Sequence, residues 1–192
     1  MRQFTLAILL PATVALIVLA VVDHARGDGV LARAVVVGAI AGFVAACAYD
    51  VFRLPFVFSQ AWRLSAVVPP MNLFKVFPRF GAMILGEPLE QPTYSLAAHF
   101  IGWTYHFSNG ITFGVMYLAM IGDALRRRWW WGVVLAAGLE LAMLFTPYTG
   151  FFGIHLTALF VAVTLAAHIV FGAALGLFAR HLAGRASSPL PA

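Results

Sequence analysis

The chain has 192 residues, of which 62% are hydrophobic and only 10% are charged, and its formal net charge is +5. A soluble domain carries roughly 25% charged residues, so this composition excludes an ordinary soluble domain and indicates an integral membrane protein. No Lys/Arg-rich stretch is interleaved with aromatic residues, so nucleic acid is not an expected partner. The single cysteine, Cys47, excludes an intrachain disulfide and a cysteine-based metal knuckle.

A helix that crosses the hydrocarbon core of a bilayer needs about 20 apolar residues. Five stretches meet this length, at about 4–22, 30–49, 94–122, 129–148 and 154–179. The first could instead be a cleaved signal peptide, but its apolar run is longer than the usual one of about 7–15 residues. We therefore expect a retained helix and a single helical domain over residues 1–192. The predicted fold class is an all-α integral membrane protein with five transmembrane helices.

The loop between the second and third spans carries a candidate amphipathic helix at about residues 69–86. Phe74, Phe77 and Phe80 are interspersed there with Lys75 and Arg79. Because cations are costly at the middle of a bilayer, this pattern favours a helix in the interface over a sixth span. A plain aromatic loop packed over the helices is the alternative.

Basic residues set the orientation through the positive-inside rule. The "RRR" at 126–128, with Arg180 and Arg185, favours a cytoplasmic C-terminus in the inner membrane of a bacterium. The 51–93 loop opposes this orientation, because it would then lie outside although it carries basic residues of its own. They are Arg53, Arg63, Lys75 and Arg79.

Small residues recur at every fourth position in three predicted spans. The stripes are Ala34, Gly38 and Gly42 in the second span, Gly110 and Gly114 in the third, and Gly172 and Gly176 in the fifth. In lipid, such stripes let two helix backbones approach closely, so we expect them to be packing surfaces. The third and fifth spans also share the skeleton His-x-x-x-Gly-x-x-x-Gly, which begins at His106 and at His168.

An inner polar set is predicted near the middle of the membrane, where parallel third and fifth spans and an antiparallel fourth bring four side chains to similar depth. They are His106, Asn109, Glu140 and His168. A charged, unpaired Glu140 would be expensive there, so it should be protonated or bonded to a histidine. A Glu–His arrangement could relay protons. A structural hydrogen bond between helices is the alternative.

A second, outer polar set is expected toward the external side of the membrane. It comprises Asp50, Arg53, His99 and His155. Asp50 and Arg53 are three residues apart and can pair, so the favoured interpretation is an interfacial ion pair that closes the second helix. A gate or a headgroup contact is the alternative.

The histidines also suit a cofactor, although none is predicted. His106 and His168 at equal depth could ligate a haem, but close-packing stripes leave little room for a porphyrin, and a Cys-x-x-Cys-His motif is absent. A metal site could draw on His99, His106, His155 and Glu140, whose ligand types suit iron, copper or zinc. No diagnostic spacing such as His-Glu-x-x-His supports it.

Several short motifs follow one another along the chain. They are "GAIAG" in the second span, the Pro-bearing segment after it, His99 with Trp103, the 106–117 stretch, Trp131-Gly132, and His168. On these motifs the core, about residues 33–181, resembles the YagU-like family of small bacterial inner-membrane proteins. The resemblance implies a helical inner-membrane protein without an established activity, and a link to acid tolerance that would fit a proton-sensing His/Glu core.

The leading functional hypothesis is a non-enzymatic membrane protein whose inner polar set handles protons or a small solute, or responds to pH. One alternative is a redox subunit that binds haem or a metal through His99, His106 and His168. Another is a structural or assembly subunit, in a homo-oligomer or a larger membrane complex. No nucleophile elbow, phosphate loop or paired-carboxylate motif indicates an enzyme.

Overall fold

The computed structural model describes residues 7, 10–27, 29–151 and 154–187, and within them the chain is helical with no strand. The all-α fold class is therefore confirmed. The helices are α1 (Leu10–Ala25), α2 (Val30–Val57), α3 (Val76–Leu85), α4 (Leu96–Ile121), α5 (Trp131–Leu144), the single turn α6 (Tyr148–Phe151) and α7 (Ala158–Ser187). A 3₁₀ turn, Leu73–Lys75, precedes α3.

Two helices among the described residues are long and apolar enough to cross a membrane by length and composition. They are Val30–Val57 and the Ala158–Arg185 part of α7. Helices α1 and α5 are apolar but have only 16 and 14 residues, and residues 4–6, 8 and 9 of the predicted first span lie outside the described part of the chain. Length and composition together thus support two of the five predicted spans, and α4, although it has 26 residues, is not one of the two.

Helix α2 extends further than its apolar run predicts. The expected end was near residue 49, but the helix continues through Asp50 and Arg53 to Val57 and accommodates Pro55. The prediction that Asp50 and Arg53 close the helix is therefore wrong. Both lie inside the helix near its C-terminal end, where Asp50 contacts His106 of α4 and Arg53 donates to the carbonyl of Leu73. The fall in hydropathy at these two residues therefore does not mark the end of the helix.

The predicted segment at about 69–86 forms a shorter helix than expected. Helix α3 begins at Val76 after the 3₁₀ turn and ends at Leu85, and it is followed by the C-cap Gly86, whose φ of 80° suits glycine. It packs on α4 so closely that a Cβ added at Gly102 would collide with the carbonyl of Phe77. The segment is therefore a helix fixed to the bundle, with Phe77 and Phe80 buried.

Helix α2 lies at the centre of the fold and contacts α1, α4 and α7. Helix α4 also packs against α3, and α7 also packs against α5. The order of neighbours is therefore α3, α4, α2, α7, α5, while α4 and α5 touch only marginally. The helices form an open arc, and its concave side leaves space between α4 and α5.

The glycine stripe of α2 packs against that of α4. A Cβ added at Gly38 would lie 2.8 Å from the carbonyl oxygen of Gly114, and Gly42 faces Gly110 one turn further along. Ala34 continues the stripe, half-buried against the same core. Since residue numbers rise on one helix as they fall on the other, α2 and α4 are antiparallel.

The stripe of α7 packs against α5 rather than against α4. A Cβ at Gly172 would meet the backbone of Gly132 and Val133, and one at Gly176 would meet Trp129. The repeated skeleton in α4 and α7 therefore does not describe two helices that pack on each other. The stripe of α4 packs on α2, and the stripe of α7 packs on α5.

The surface of the bundle is apolar and several of its charged groups are inside. Val36, Phe100 and Leu177 are 56%, 72% and 51% exposed, whereas Arg53 and Glu140 are each only 3% exposed. Large exposed apolar surfaces are rare on soluble monomers and mark contact with another apolar phase or a partner. A soluble protein has the opposite distribution, with most of its large apolar side chains inside and its charged side chains on the surface.

The antiparallel packing gathers many basic residues at one end of the bundle. Arg180 of α7 donates a hydrogen bond to the carbonyl of Arg127, which places the 126–128 run beside the C-terminal half of α7. Helix α2 begins at the same end, because Gly38 lies beside Gly114 near the end of α4. The 3₁₀ turn and α3 lie at the opposite end.

Candidate functional site

A cavity of about 530 Å³ lies on the concave side of the arc. Helices α2, α3, α4, α5 and α7 contribute to its wall, together with the 3₁₀ turn and the segment before α7. Most lining side chains are apolar, among them Phe77, Phe113 and Phe171. Sites for small organic molecules typically have volumes of roughly 300–1,000 Å³, so the cavity has the size and character of a ligand pocket.

The first polar pair at this cavity joins α2 to α4. His106 Nε2 lies 3.0 Å from Asp50 Oδ2, and both side chains are largely buried. At this distance the two side chains form a hydrogen bond between the two helices. The contact follows from the glycine packing, since Asp50 lies two turns after Gly42 while His106 lies one turn before Gly110 on the opposing helix.

The second pair joins α5 to α7. Glu140 Oε2 lies 3.3 Å from His168 Nδ1, and Nδ1 also lies 2.9 Å from the carbonyl oxygen of Thr164. Nδ1 donates its hydrogen bond to that carbonyl and lies within ion-pair distance of the Glu140 carboxylate. The Glu140 side chain is only 4% exposed, so His168 is its partner in a place where an isolated charge would be costly. The structure brings this carboxyl and this histidine together, as a buried Glu140 requires.

The two pairs have the same construction. On α2, Gly42, Ala46 and Asp50 lie on one stripe, and on α5 Gly132, Ala136 and Glu140 do the same. Each Gly-x-x-x-Ala-x-x-x-acid stripe faces a His-x-x-x-Gly-x-x-x-Gly stripe on the neighbouring helix. The small residues bring two backbones together, and the next turn places an acid beside a histidine.

Tyr49 lies between the two pairs and was not singled out by the sequence. The centroid of its ring is 5.8 Å from that of His106 and 5.0 Å from that of His168. Both imidazoles therefore lie at the level of one aromatic side chain. A tyrosine within an apolar run does not stand out in the sequence. Tyr49 directly precedes Asp50, the acid of the α2 stripe, and this position indicates that it lies close to the pair.

Arg53 lies beside the carboxylate oxygen of Asp50 that His106 does not contact. Its Nη1 is 3.6 Å from Asp50 Oδ1, and its Nη2 donates a hydrogen bond to the carbonyl of Leu73. The guanidinium carbon lies 4.7 Å from the ring centroid of Tyr49, 5.1 Å from that of Phe74 and 5.2 Å from that of Phe77. Aromatic faces attract cations, so this surrounding partly replaces lost hydration. Asp50 thus lies between a cation and a histidine.

The remaining predicted residues lie in different places. Asn109 lines the cavity, and His155 is an exposed residue at its edge. His99 is exposed on α4, where it borders a separate shallow pocket with Trp103 and its ring centroid is 6.3 Å from that of Tyr94. The predicted outer set is therefore not one cluster: Asp50 and Arg53 belong with His106, and the two other histidines stand apart.

Metal and haem ligation were alternatives that the sequence left open. In the described ranges no three His, Cys, Asp or Glu side chains gather closely enough to hold a metal ion. His106 and His168 each direct a ring nitrogen at a carboxylate, and Tyr49 lies between them. The geometry therefore adds no support to a bis-imidazole site.

No family model, curated protein or solved structure matches this chain. The resemblance to the YagU-like family therefore stays a prediction.

Proposed function

We propose that this chain is a non-enzymatic, multi-pass protein of the bacterial inner membrane that binds a small, largely apolar solute in the cavity and links its binding to proton binding. The observation that carries the proposal is the presence of two histidine–carboxylate pairs at one mainly apolar cavity. Tyr49 joins the pairs into one layer of aromatic and ionisable groups.

The membrane part of the proposal rests on the distribution of apolar surface. Two helices have the length and composition of transmembrane helices, and α1, α4 and α5 also expose large apolar side chains such as Leu19, Phe100 and Leu141. In lipid these side chains face acyl chains while the polar groups face the interior, which is the arrangement that a bilayer requires. We therefore assign five helices to the membrane, namely α1, α2, α4, α5 and α7.

The orientation follows from the number of basic residues at each end of the bundle. The positive-inside rule counts Lys and Arg rather than net charge. Seven of them lie near the end at which α2 begins and α7 ends, against four in the 51–93 region; the seven are Arg26, Arg33, Arg126, Arg127, Arg128, Arg180 and Arg185. The end that carries residues 126–128 and Arg180 is assigned to the cytoplasm, and the C-terminus with it.

The coupling to protons follows from the electrostatics of a cavity with a mainly apolar lining. A histidine beside a carboxylate can gain or lose a proton near neutral pH. The free energy of each charge state depends on the local dielectric, which falls when an apolar solute displaces water. Solute binding therefore changes proton affinity, and by reciprocity proton binding changes solute affinity.

The cavity is tested with 2-naphthylmethanol, a neutral aromatic probe, titrated into the detergent-purified full chain. Leu139 lines the cavity, so Leu139→Trp fills the space and should abolish binding. Val134 lies on the same helix but is 48% exposed on the outer surface, so Val134→Trp is the matched control and should bind as the wild type does. Equal binding by all three proteins would show that the cavity is not the site.

A further inference from the structure

The end of the cavity nearest α3 is cationic. Among the described residues that line the cavity, Arg53, Lys75 and Arg79 carry permanent positive charge. They come from three successive elements, α2, the 3₁₀ turn and α3. Arg53 donates to the carbonyl of Leu73, two residues before Lys75, so the three cations belong to one region.

The carboxylate of Glu90 pairs with two of these cations. Glu90 Oε2 lies 3.7 Å from Lys75 Nζ, and Glu90 Oε1 forms an ion pair with Arg79 Nη2. The Glu90 side chain is 61% exposed and belongs to the segment between α3 and α4, whereas the Arg79 side chain is only 15% exposed. The acid thus reaches in from the solvent to cations at the edge of the cavity.

Such a carboxylate can be exchanged, because Glu90 is largely exposed and regains its hydration when it leaves. Arg79 is largely buried, so its guanidinium still needs an anionic partner when Glu90 has left. An external carboxylate at the same place would keep the charge-assisted bonds and would add burial of whatever apolar group it carries. Phe77 and Phe80, beside Arg79 on α3, offer that burial because they line the same cavity.

We propose that the solute is a hydrophobic monocarboxylate, whose carboxylate takes the place of Glu90 on Lys75 and Arg79 while its apolar body enters the cavity. This inference rests on the proposed function, because it names the class of solute that the cavity accepts. Glu90 is then an internal competitor, and its removal strengthens binding.

The test compares 2-naphthoate with 2-naphthylmethanol, which share an aromatic body and differ in the anionic group, on the purified full chain by calorimetric titration. Naphthoate should bind about tenfold more tightly, since one charge-assisted hydrogen bond has that effect. Glu90→Gln should raise naphthoate affinity several-fold and Lys75→Gln should lower it, while neither changes the affinity for naphthylmethanol. Glu87→Gln is the matched control, because Glu87 lies in the same segment but contacts Ser95 and Gln91 instead.

Two results would overturn the inference and leave the proposed function standing. One is equal affinity for both probes, with no response to Glu90→Gln or Lys75→Gln. The other is weaker binding of both probes in Glu90→Gln together with a lower melting temperature, which would make Glu90 a structural brace. If neither probe binds the wild type, the proposed function fails together with the inference.

Discussion

Asp50 and Glu140 occupy equivalent positions in two separate helix pairs. Asp50 follows Gly42 by eight residues and meets His106 across the α2–α4 contact, and Glu140 follows Gly132 by eight residues and meets His168 across the α5–α7 contact. Two helix pairs have therefore reached the same arrangement of close packing followed by an acid–histidine contact.

The glycine packing predicts a large difference between two Gly→Ala substitutions. A Cβ at Gly114 would lie 2.8 Å from Gly42 Cα, so Gly114→Ala must push α2 and α4 apart and should cost about 1–3 kcal/mol. Gly138 has open space around its Cβ position, so Gly138→Ala should be neutral or gain up to about 1 kcal/mol of helix propensity. Thermal unfolding in one detergent measures both, and equal melting temperatures would contradict the close contact.

Arg53 and Asp50 should be strongly coupled in stability. Arg53→Met leaves Asp50 buried without its cation, and breaking a buried pair in this way costs about 3–5 kcal/mol. Asp50→Asn in the same chain removes the stranded charge, so the double variant should be more stable than Arg53→Met alone. Unfolding of the four proteins in a double-mutant cycle measures the coupling. Additive losses would show that the two side chains do not interact energetically.

The acid–histidine pairs should set the pH dependence of solute affinity. The affinity of the wild type for 2-naphthylmethanol should change between about pH 5 and 8, the range in which histidine titrates. Glu140→Gln keeps the shape of the side chain and removes its charge, so a protonated His168 is left without its counter-charge and the change should be smaller. Adding Asp50→Asn does the same to His106 and should reduce the change again. Fluorescence titration across that range is the measurement.

Thr164→Val is the control for this experiment. The Thr164 hydroxyl lines the cavity but bonds only to carbonyls of its own helix, those of Phe160 and Val161. The variant should therefore keep the pH dependence of the wild type. An unchanged profile in the double acid variant would assign the proton coupling to other groups.

The orientation predicts opposite labelling of two introduced cysteines in a Cys47→Ser background. Val67 is 82% exposed at the end that holds α3, and Arg126 has an 87% exposed side chain at the basic end. A membrane-impermeant maleimide should label Val67→Cys in intact spheroplasts and Arg126→Cys only after permeabilisation. The reverse pattern would invert the assigned topology.

Much of the helix packing was predictable because small residues at every fourth position have one common use in lipid. The partners of the stripes were not predictable, since the glycines of α4 and α7 are alike and contain no information on which helix faces them. The end of α2 was misplaced for another reason. Hydropathy falls at Asp50 and Arg53 in the same way whether a helix ends or a neighbouring helix supplies a partner. The spacing from Gly42 to Asp50 distinguishes these cases, because it continues the buried stripe.

The marginal contact between α4 and α5 divides the bundle into two groups of helices. One group consists of α2, α3 and α4, and the other of α5 and α7, and they meet where α2 packs on α7. Each acid–histidine pair lies wholly within one group, so a substitution that removes one pair leaves the contacts of the other in place. Tyr49 belongs to the first group, and its ring lies against His168 of the second. The tyrosine ring is therefore the place where a change of charge in one pair alters the surroundings of the other.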